Sequence, residues 1–109
     1  MIDFEQTPSF NKKAKKLASK YPSFKDDLAK LMKSLAENPE QGVLLTDNFR
    51  KIRMAISSKG KGKSGGARVI TANCIVAKNE GLITLVLVYD KNELENVSIT
   101  EIREAYGSR

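Results

Sequence analysis

The sequence contains no histidine and only one cysteine, and these absences exclude several kinds of catalytic site. Without histidine, neither a Ser-His-Asp triad nor a histidine-based ribonuclease mechanism is possible. One cysteine without histidine argues against a structural zinc site, and we expect no metal and no cofactor. Cys74 lies among small and apolar residues, which predicts a buried, reduced thiol. Chemistry is left to Lys, Arg, Tyr, Asp and Glu.

Long apolar runs are also missing from the sequence. None approaches the length of a membrane span, and the N-terminal residues MIDFE lack the apolar region of a secretory signal. The charged fraction of 29% predicts a soluble chain. Together with the missing span, the missing signal and the reduced thiol of Cys74, it leads us to expect a cytoplasmic protein with no membrane partner. A length of 109 residues predicts one domain, over residues 1–109.

Acidic residues are absent from residues 50–78, which contain eight lysines and arginines. Residues 1–49 have eight bases and seven acids, and residues 79–109 have three bases and six acids. The net charge of +6 is therefore concentrated in the middle of the chain. A concentrated positive charge favours the capture of polyanions. The alternative is a solvated face that only aids solubility, but solubility does not require this segregation.

Apolar periodicity predicts the N-terminal half as a short strand over residues 2–5 followed by two helices. Thr7-Pro8 predicts the start of the first helix, whose apolar stripe runs from Phe10 to Tyr21. A Ser23/Asp26 capping box predicts the start of the second helix, and Asn38-Pro39 with Gly42 predicts its end. We expect the two stripes to pack together as an antiparallel helical hairpin.

The C-terminal half is predicted to contain three strands and a last helix. The strands fall over residues 50–56, 67–77 and 82–89, after a linker, and the third is apolar on both faces, as in a covered central strand. Residues 57–66, SSKGKGKSGG, predict a flexible loop. Ser98 and Glu101 predict a capping box for a helix through Tyr106. The order β-α-α-β-β-β-α predicts an α+β fold in which helices pack on one face of an antiparallel sheet.

The loop over residues 57–66 has three possible interpretations. Gly62-Lys63-Ser64 resembles the end of a nucleotide-binding P-loop, but residue 57 is serine where that motif needs glycine, and a strand follows instead of a helix. A cationic hairpin loop over a phosphate backbone fits better, with charge from Lys59, Lys61 and Lys63. A disordered loop that only aids solubility is the third interpretation.

Clustered lysines and arginines can cleave RNA without histidine, because they stabilise the negative charge that a phosphate gathers when the ribose 2′-hydroxyl attacks it. Lys51 and Arg53 are two residues apart on one predicted strand and therefore share a face. Arg50 and Arg68 are close to that hairpin in sequence, and we expect both Arg53 and Arg68 on the open face of the sheet. The alternative for each is a surface charge without a role.

Leu44 to Ile70 resembles the RelE/ParE superfamily and, within it, the HigB-like ribosome-dependent toxins. The resemblance extends over nearly the whole chain and is carried by TPSF (7–10), the lysine-rich first helix, Asn38-Pro39, FRKIRMA (49–55), KGKGKSGGARVI (59–70) and YDKNE (89–93). It implies the RelE-like fold and an endonuclease that cuts mRNA in the ribosomal A site. It also implies a cognate antitoxin, which we expect to be a helix-turn-helix protein encoded next to this chain.

The resemblance also implies which residues act. The family's active-site cations match Lys51, Arg53, Arg68 and Lys91. The best-known RelE enzymes carry a further arginine after the last strand and a tyrosine near the C-terminal helix, where this chain has Asn92 and Ser98, so Tyr89 or Glu93 would have to replace them. Contacts with mRNA and with 16S rRNA near the A site are expected from Arg50, Lys59, Lys61, Lys63, Lys12, Lys13 and Lys16.

Two other functions remain open at this stage. ParE-type relatives share the fold but inhibit DNA gyrase, and a relative without catalytic activity would only bind RNA or the ribosome. Fold alone does not separate these functions. The cations at Lys51, Arg53 and Arg68 favour RNA cleavage.

Overall fold

The computed structural model describes residues 1–94 and 96–108, and in these residues it has an α+β architecture with one five-stranded mixed sheet and three α-helices. The elements are β1 (Ile2–Gln6), α1 (Pro8–Lys20), α2 (Phe24–Glu37), β2 (Val43–Thr46), β3 (Phe49–Met54), β4 (Ala67–Ala77), β5 (Glu80–Asp90) and α3 (Ile99–Gly107). A 3-10 turn at Ser57–Lys59 follows β3. None of the helices in this part of the chain has the length and apolar character needed to cross a bilayer.

The strand order is β1-β5-β4-β3-β2, and the prediction of a wholly antiparallel sheet is wrong. β1 pairs with β5 in parallel, whereas the other neighbours are antiparallel. A parallel pair needs a long crossover, and α1 and α2 belong to the connection that leads from β1 to the rest of the sheet. β2 lies in the predicted linker. It forms a hairpin with β3 through a turn in which Asp47 adopts a left-handed conformation, with φ of 51°.

Both faces of the sheet are covered, so the prediction of helices on one face only is also wrong. The stripes of α1 and α2 pack against a core that includes Ile52, Val69 and Leu85. α3 packs on the opposite face, against a second core that includes Ile70 and Val86. The apolar character of both faces of β5 is explained by these two layers.

A β-bulge in β5 decides which face the end of that strand presents. Ile70 pairs with Leu87, but the next residue of β4, Thr71, pairs with Leu85, so that one residue of β5 has no partner across the strand pair. Val86 and Leu87 consequently both belong to the core under α3. Beyond the bulge, Tyr89 lies on the α3 face and Asp90 on the face of α1 and α2.

Two further expectations need correction. Cys74 is exposed rather than buried, because the β4–β5 hairpin extends beyond the helices from this residue onward. Ser23 does not form a capping box, since its side chain makes no cap hydrogen bond and its Oγ donates to Asp27 Oδ2 at 2.7 Å. The predicted caps at Thr7 and Ser98 are confirmed: each side chain accepts a hydrogen bond from a backbone N–H of its helix.

Thr7 connects α1 to the centre of the sheet. Its fully buried hydroxyl accepts from Phe10 N at 3.0 Å and donates to the Val86 carbonyl at 2.7 Å, and its own N–H donates to the Leu85 carbonyl at 3.1 Å. β1 ends at Gln6, so this side chain replaces a strand at the point where β5 loses its parallel neighbour.

We expect Thr7→Val to lower the free energy of unfolding by about 2 kcal/mol, because it leaves a buried carbonyl and a helix N–H without partners. Urea denaturation followed by circular dichroism measures this loss. Thr7→Ser is the control: it keeps the hydroxyl and should cost about 1 kcal/mol for the buried methyl group. Equal losses in the two variants would show that the hydroxyl contributes nothing.

Candidate functional site

β3, β4 and β5 place Arg53, Arg68 and Tyr89 side by side on the α3 face of the sheet. Arg53 pairs with Arg68 across one strand pair, and Arg68 pairs with Tyr89 across the next. Directly opposed residues have Cβ atoms about 5 Å apart, so the three side chains start from adjacent positions. We call this group the Arg53–Arg68–Tyr89 row. Lys51 lies on the same face, two residues before Arg53 on β3.

The members of this row differ in their access to solvent. Arg53 is exposed and forms no ion pair within the described residues. Arg68 is only 7% exposed, so the expectation that it lies on the open face is wrong. Its guanidinium donates to the carbonyls of Lys63, Ala67 and Ser64 at 3.0, 3.1 and 3.1 Å, because the glycine-containing turn folds back over it.

Tyr89 is the innermost member of the row. It is 3% exposed, and its hydroxyl has no hydrogen-bond partner among the described residues. Burial raises the pKa of Tyr89 above 10.0, and the nearby charge of Arg68 opposes that rise. At neutral pH the phenol is therefore protonated, with a hydrogen available to donate.

Several hydrogen bonds attach the loop over residues 57–66 to the rest of the protein, among them one from Ser58 N to Ser23 Oγ at 2.8 Å. Ser57 donates from its N–H and its hydroxyl to Asp27, at 2.9 and 2.6 Å. Lys59 reaches Asp90, and Arg68 holds two carbonyls near the far end of the loop. These contacts leave the side chains of Lys61 and Lys63 exposed.

Lys59 is not a free loop cation, and this part of the prediction is wrong. Its side chain is only 6% exposed, and its Nζ lies 2.8 Å from Oδ1 of the fully buried Asp90. The Tyr21 hydroxyl donates to Oδ2 of the same carboxylate at 2.5 Å, and Asn92 N donates to Oδ1. The charge of Lys59 therefore stabilises the protein interior, where an RNA phosphate has no access to it.

Other predicted site residues lie away from the row. Arg50 points to the opposite face of β3 from Lys51, and its guanidinium donates to the Glu40 carbonyl at 2.8 Å. Glu93 forms ion pairs with α1, at 2.8 Å to Lys13 and 3.9 Å to Lys20. Lys12 and Lys16 are exposed on α1, which packs on the face opposite the row. Lys91 is exposed and lines a shallow cavity together with Lys61, Ser64 and Glu93.

The structure thus brings together Lys51, Arg53, Arg68 and Tyr89. The side chain of Lys51 is turned towards the segment before α3, with its Nζ 3.2 Å from Asn96 Oδ1. Within residues 1–94 and 96–108, no group of three Asp, Glu, His or Cys side chains is placed to hold a metal ion.

Sequence reasoning missed two buried carboxylates that support this site. Asp27 had a detectable signal: it lies three residues after Phe24 and four before Leu31, and thus on the apolar stripe of α2. Asp90 had none, since its face depends on the bulge in β5, and no sequence pattern pairs it with Lys59 or Tyr21.

Asp90 should make the protein sensitive to acid. Burial favours the neutral carboxyl, but hydrogen bonds from Lys59 and Tyr21 outweigh it and lower the pKa of Asp90 from 3.8 to about 2. The ionised group therefore contributes about 2 kcal/mol of stability above pH 4, and this contribution is lost as the pH falls towards 2. Urea denaturation between pH 2 and 6 measures it.

Asp90→Asn is the matching variant. It should destabilise the protein at neutral pH by about 3–5 kcal/mol, because the ammonium of Lys59 is left buried without a counter-charge. It should also flatten the acid limb of the stability curve. An unchanged acid limb would show that Asp90 titrates normally in the folded protein.

No protein-family model matches this chain, and no curated protein matches it either. The resemblance to the RelE/ParE superfamily therefore stays a prediction, supported by the motifs in the sequence.

Proposed function

We propose that this chain is the toxin of a type II toxin–antitoxin pair, with a RelE-like fold, and that it cleaves mRNA in the A site of the ribosome. The observation that carries the proposal is the Arg53–Arg68–Tyr89 row, with Lys51 next to it. Three cations and a protonated phenol share one sheet face, and the three cations come from residues 50–78, which contain no acidic residue.

The chemistry of these side chains suits transesterification of RNA. The ribose 2′-oxygen attacks the neighbouring phosphorus, the bond to the 5′-oxygen breaks, and negative charge accumulates on the phosphate. Arg53 is exposed and can meet a phosphate directly. Lys51 beside it is half-buried and donates to Asn96, and its ammonium has further N–H groups to offer a phosphate. A protonated Tyr89 would donate to the departing 5′-oxygen, while the 2′-hydroxyl proton passes to water.

Arg68 has two roles in this proposal. Its buried guanidinium adds positive charge beside Tyr89, and its three carbonyl contacts fix the backbone that carries Lys63. The phenol of Tyr89 is buried, so a phosphate reaches it only after the groups that cover it shift. Ribosome-bound RNA can supply the free energy for such a shift, and the ribosome also orients the substrate.

The proposal includes specific partners. They are mRNA and the ribosome in the cytoplasm, with contacts to 16S rRNA near the A site, and a helix-turn-helix antitoxin encoded next to the toxin. Lys61, Lys63 and Lys91 are exposed on the side of the loop and favour contacts with RNA phosphates. The exposed lysines Lys12 and Lys16 lie on α1 and would meet a different part of the ribosome.

Induction of the chain in bacteria without its antitoxin should arrest growth through loss of translation. Primer extension on mRNA recovered minutes after induction should show new 5′ ends that follow the reading frame. Continued protein synthesis with loss of negative supercoiling would instead indicate a gyrase inhibitor. Ribosome association without new 5′ ends would indicate a catalytically inert relative.

Arg53→Ala should lower single-turnover cleavage on programmed ribosomes by about 10²–10³-fold, because a cation that stabilises the transition state is lost. Stability should change by less than about 0.5 kcal/mol, since Arg53 is exposed. Lys78→Ala is the matched control: it removes one charge from the same basic segment, at the far tip of the β4–β5 hairpin. Similar rates for the two variants would remove Arg53 from the site.

Arg68→Lys tests the role of the turn. Lysine keeps the charge but cannot bridge three carbonyls, so we expect lower stability by about 1–3 kcal/mol and faster amide hydrogen exchange at residues 61–65. Cleavage should fall by more than in Thr7→Val, which loses comparable stability away from the row. Wild-type exchange in the turn together with full activity would contradict both roles.

A further inference from the structure

We propose that the cavity between α2 and the free edge of β3 binds one nucleotide of the RNA and selects its base. The proposal deepens the function proposed above and depends on it in taking RNA as the substrate. The cavity has a volume of about 270 Å³ and is lined by Asp27, Lys30, Leu31, Ser34, Gln41, Arg53, Met54, Ala55, Ser57 and Lys63. This volume lies just below the lower end, about 300 Å³, of the range that is usual for small-molecule sites, so the cavity fits a ligand as small as one nucleotide.

The cavity lies where β3 has an open edge. β2 pairs with residues 49–51 of β3. Among the described residues, no strand pairs with residues 52–54 on the side of β3 that faces away from β4. Alternate residues of an unpaired edge present their N–H and C=O groups outward. Such groups can bond to the polar edge of a nucleobase, as single-stranded RNA recognition requires.

The walls combine an apolar surface with neutral polar groups. Leu31, Met54 and Ala55 offer contacts for the face of a base. Ser34 and Gln41 form the polar side, where Gln41 Nε2 donates to Ser34 Oγ at 2.7 Å. The Gln41 carbonyl oxygen and the second amide hydrogen are left to distinguish one base edge from another.

The charges around the cavity suit the phosphates of the same nucleotide. Lys30, Arg53 and Lys63 are exposed, and none of them forms an ion pair with another residue in the part of the chain that the structure describes. The one carboxylate, Asp27, is buried, and its oxygens accept hydrogen bonds from Ser23 and Ser57. Hydrogen-bond donors of the protein thus occupy this carboxylate, and among the described residues none of the three cations forms an ion pair with it.

Arg53 connects the cavity to the cleavage site, because it belongs to both the row and the cavity wall. A base held in the cavity would place the adjoining phosphate near Arg53, next to Lys51. Lys63 is fixed at the rim by the Arg68 contact with its carbonyl. An acidic peptide is the competing occupant, but strand addition gains its affinity from main-chain hydrogen bonds along an edge, and the free edge here is only residues 52–54.

The test is the binding of short RNAs, which does not depend on ribosomal cleavage. Fluorescence anisotropy with fluorescein-labelled tetraribonucleotides of A, C, G or U compares wild type with Ser34→Phe, Lys30→Ala and Lys33→Ala. Ser34→Phe fills the cavity, and Lys30→Ala removes a cation from its wall. Lys33→Ala is the matched control: it removes the same charge from an exposed position of α2 outside the cavity.

We expect wild type to prefer one base by about fivefold or more, since a bonded base edge discriminates by roughly 1–3 kcal/mol. Ser34→Phe and Lys30→Ala should weaken that binding about tenfold, and Lys33→Ala less than twofold. Urea denaturation checks that each variant is folded. Lys30 is exposed, so Lys30→Ala should fold normally and still tests the cavity if Ser34→Phe does not fold.

Four results would overturn the proposal. Equal effects of Lys30→Ala and Lys33→Ala would indicate diffuse charge, and equal affinity for all four bases would indicate phosphate contacts alone. Binding of hexaglutamate with the same variant pattern, without RNA binding, would assign the cavity to a protein partner. Reading-frame cuts that persist unchanged in Ser34→Phe would refute the cavity but keep the proposed function. If RNA binding responds to the variants as expected but wild type makes no cuts, the cavity proposal would stand and the proposed function would be refuted.

Discussion

The buried carboxylate of Asp90 is the contact on which the architecture of the site depends. It accepts hydrogen bonds from Lys59, Tyr21 and the backbone of Asn92, so one side chain joins the basic loop, the end of α1 and the end of β5. A buried ion pair adds little stability over an apolar core, but it is costly to break, and it therefore selects one arrangement of the segments it joins. Asp90 thus holds the loop at Lys59, and Arg68 holds the other end of the loop.

The lysines and arginines around the loop fall into two groups, buried ones that bind to the protein itself and exposed ones that are accessible to a ligand. Lys59 and Arg68 have lost most of their contact with solvent and act on the protein itself, whereas Arg53, Lys61 and Lys63 stay exposed beside them. Charge counted along the sequence therefore overstates the charge offered to a ligand. The exposed cations repel one another, but they stay close together because contacts with Asp27, Asp90 and Arg68 hold the segment that carries them.

Much of the fold could be predicted from the sequence, because apolar stripes and helix caps depend on residues only a few positions apart. The helix starts at Thr7 and Ser98, and the charged face of β3 with Lys51 and Arg53, are local properties of this kind. The parallel pairing of β1, the position of α3 on the second face and the burial of Lys59 depend on contacts between distant segments, which periodicity does not encode. Within the site, strand alternation put Lys51 and Arg53 on one face, but the turn that covers Arg68 is tertiary structure.

The bulge in β5 has a consequence for how this chain can change over generations. Tyr89 and Asp90 are neighbours in sequence but serve opposite layers of the protein, one beside the cations and one inside the helical core. Most substitutions along β5 would alter only one layer. The loss or gain of a single codon between the bulge and Asp90 would exchange the two side chains, and would remove the phenol and the internal anchor together. Descendants of this sequence should therefore tolerate changes of identity in β5 far better than changes of its length.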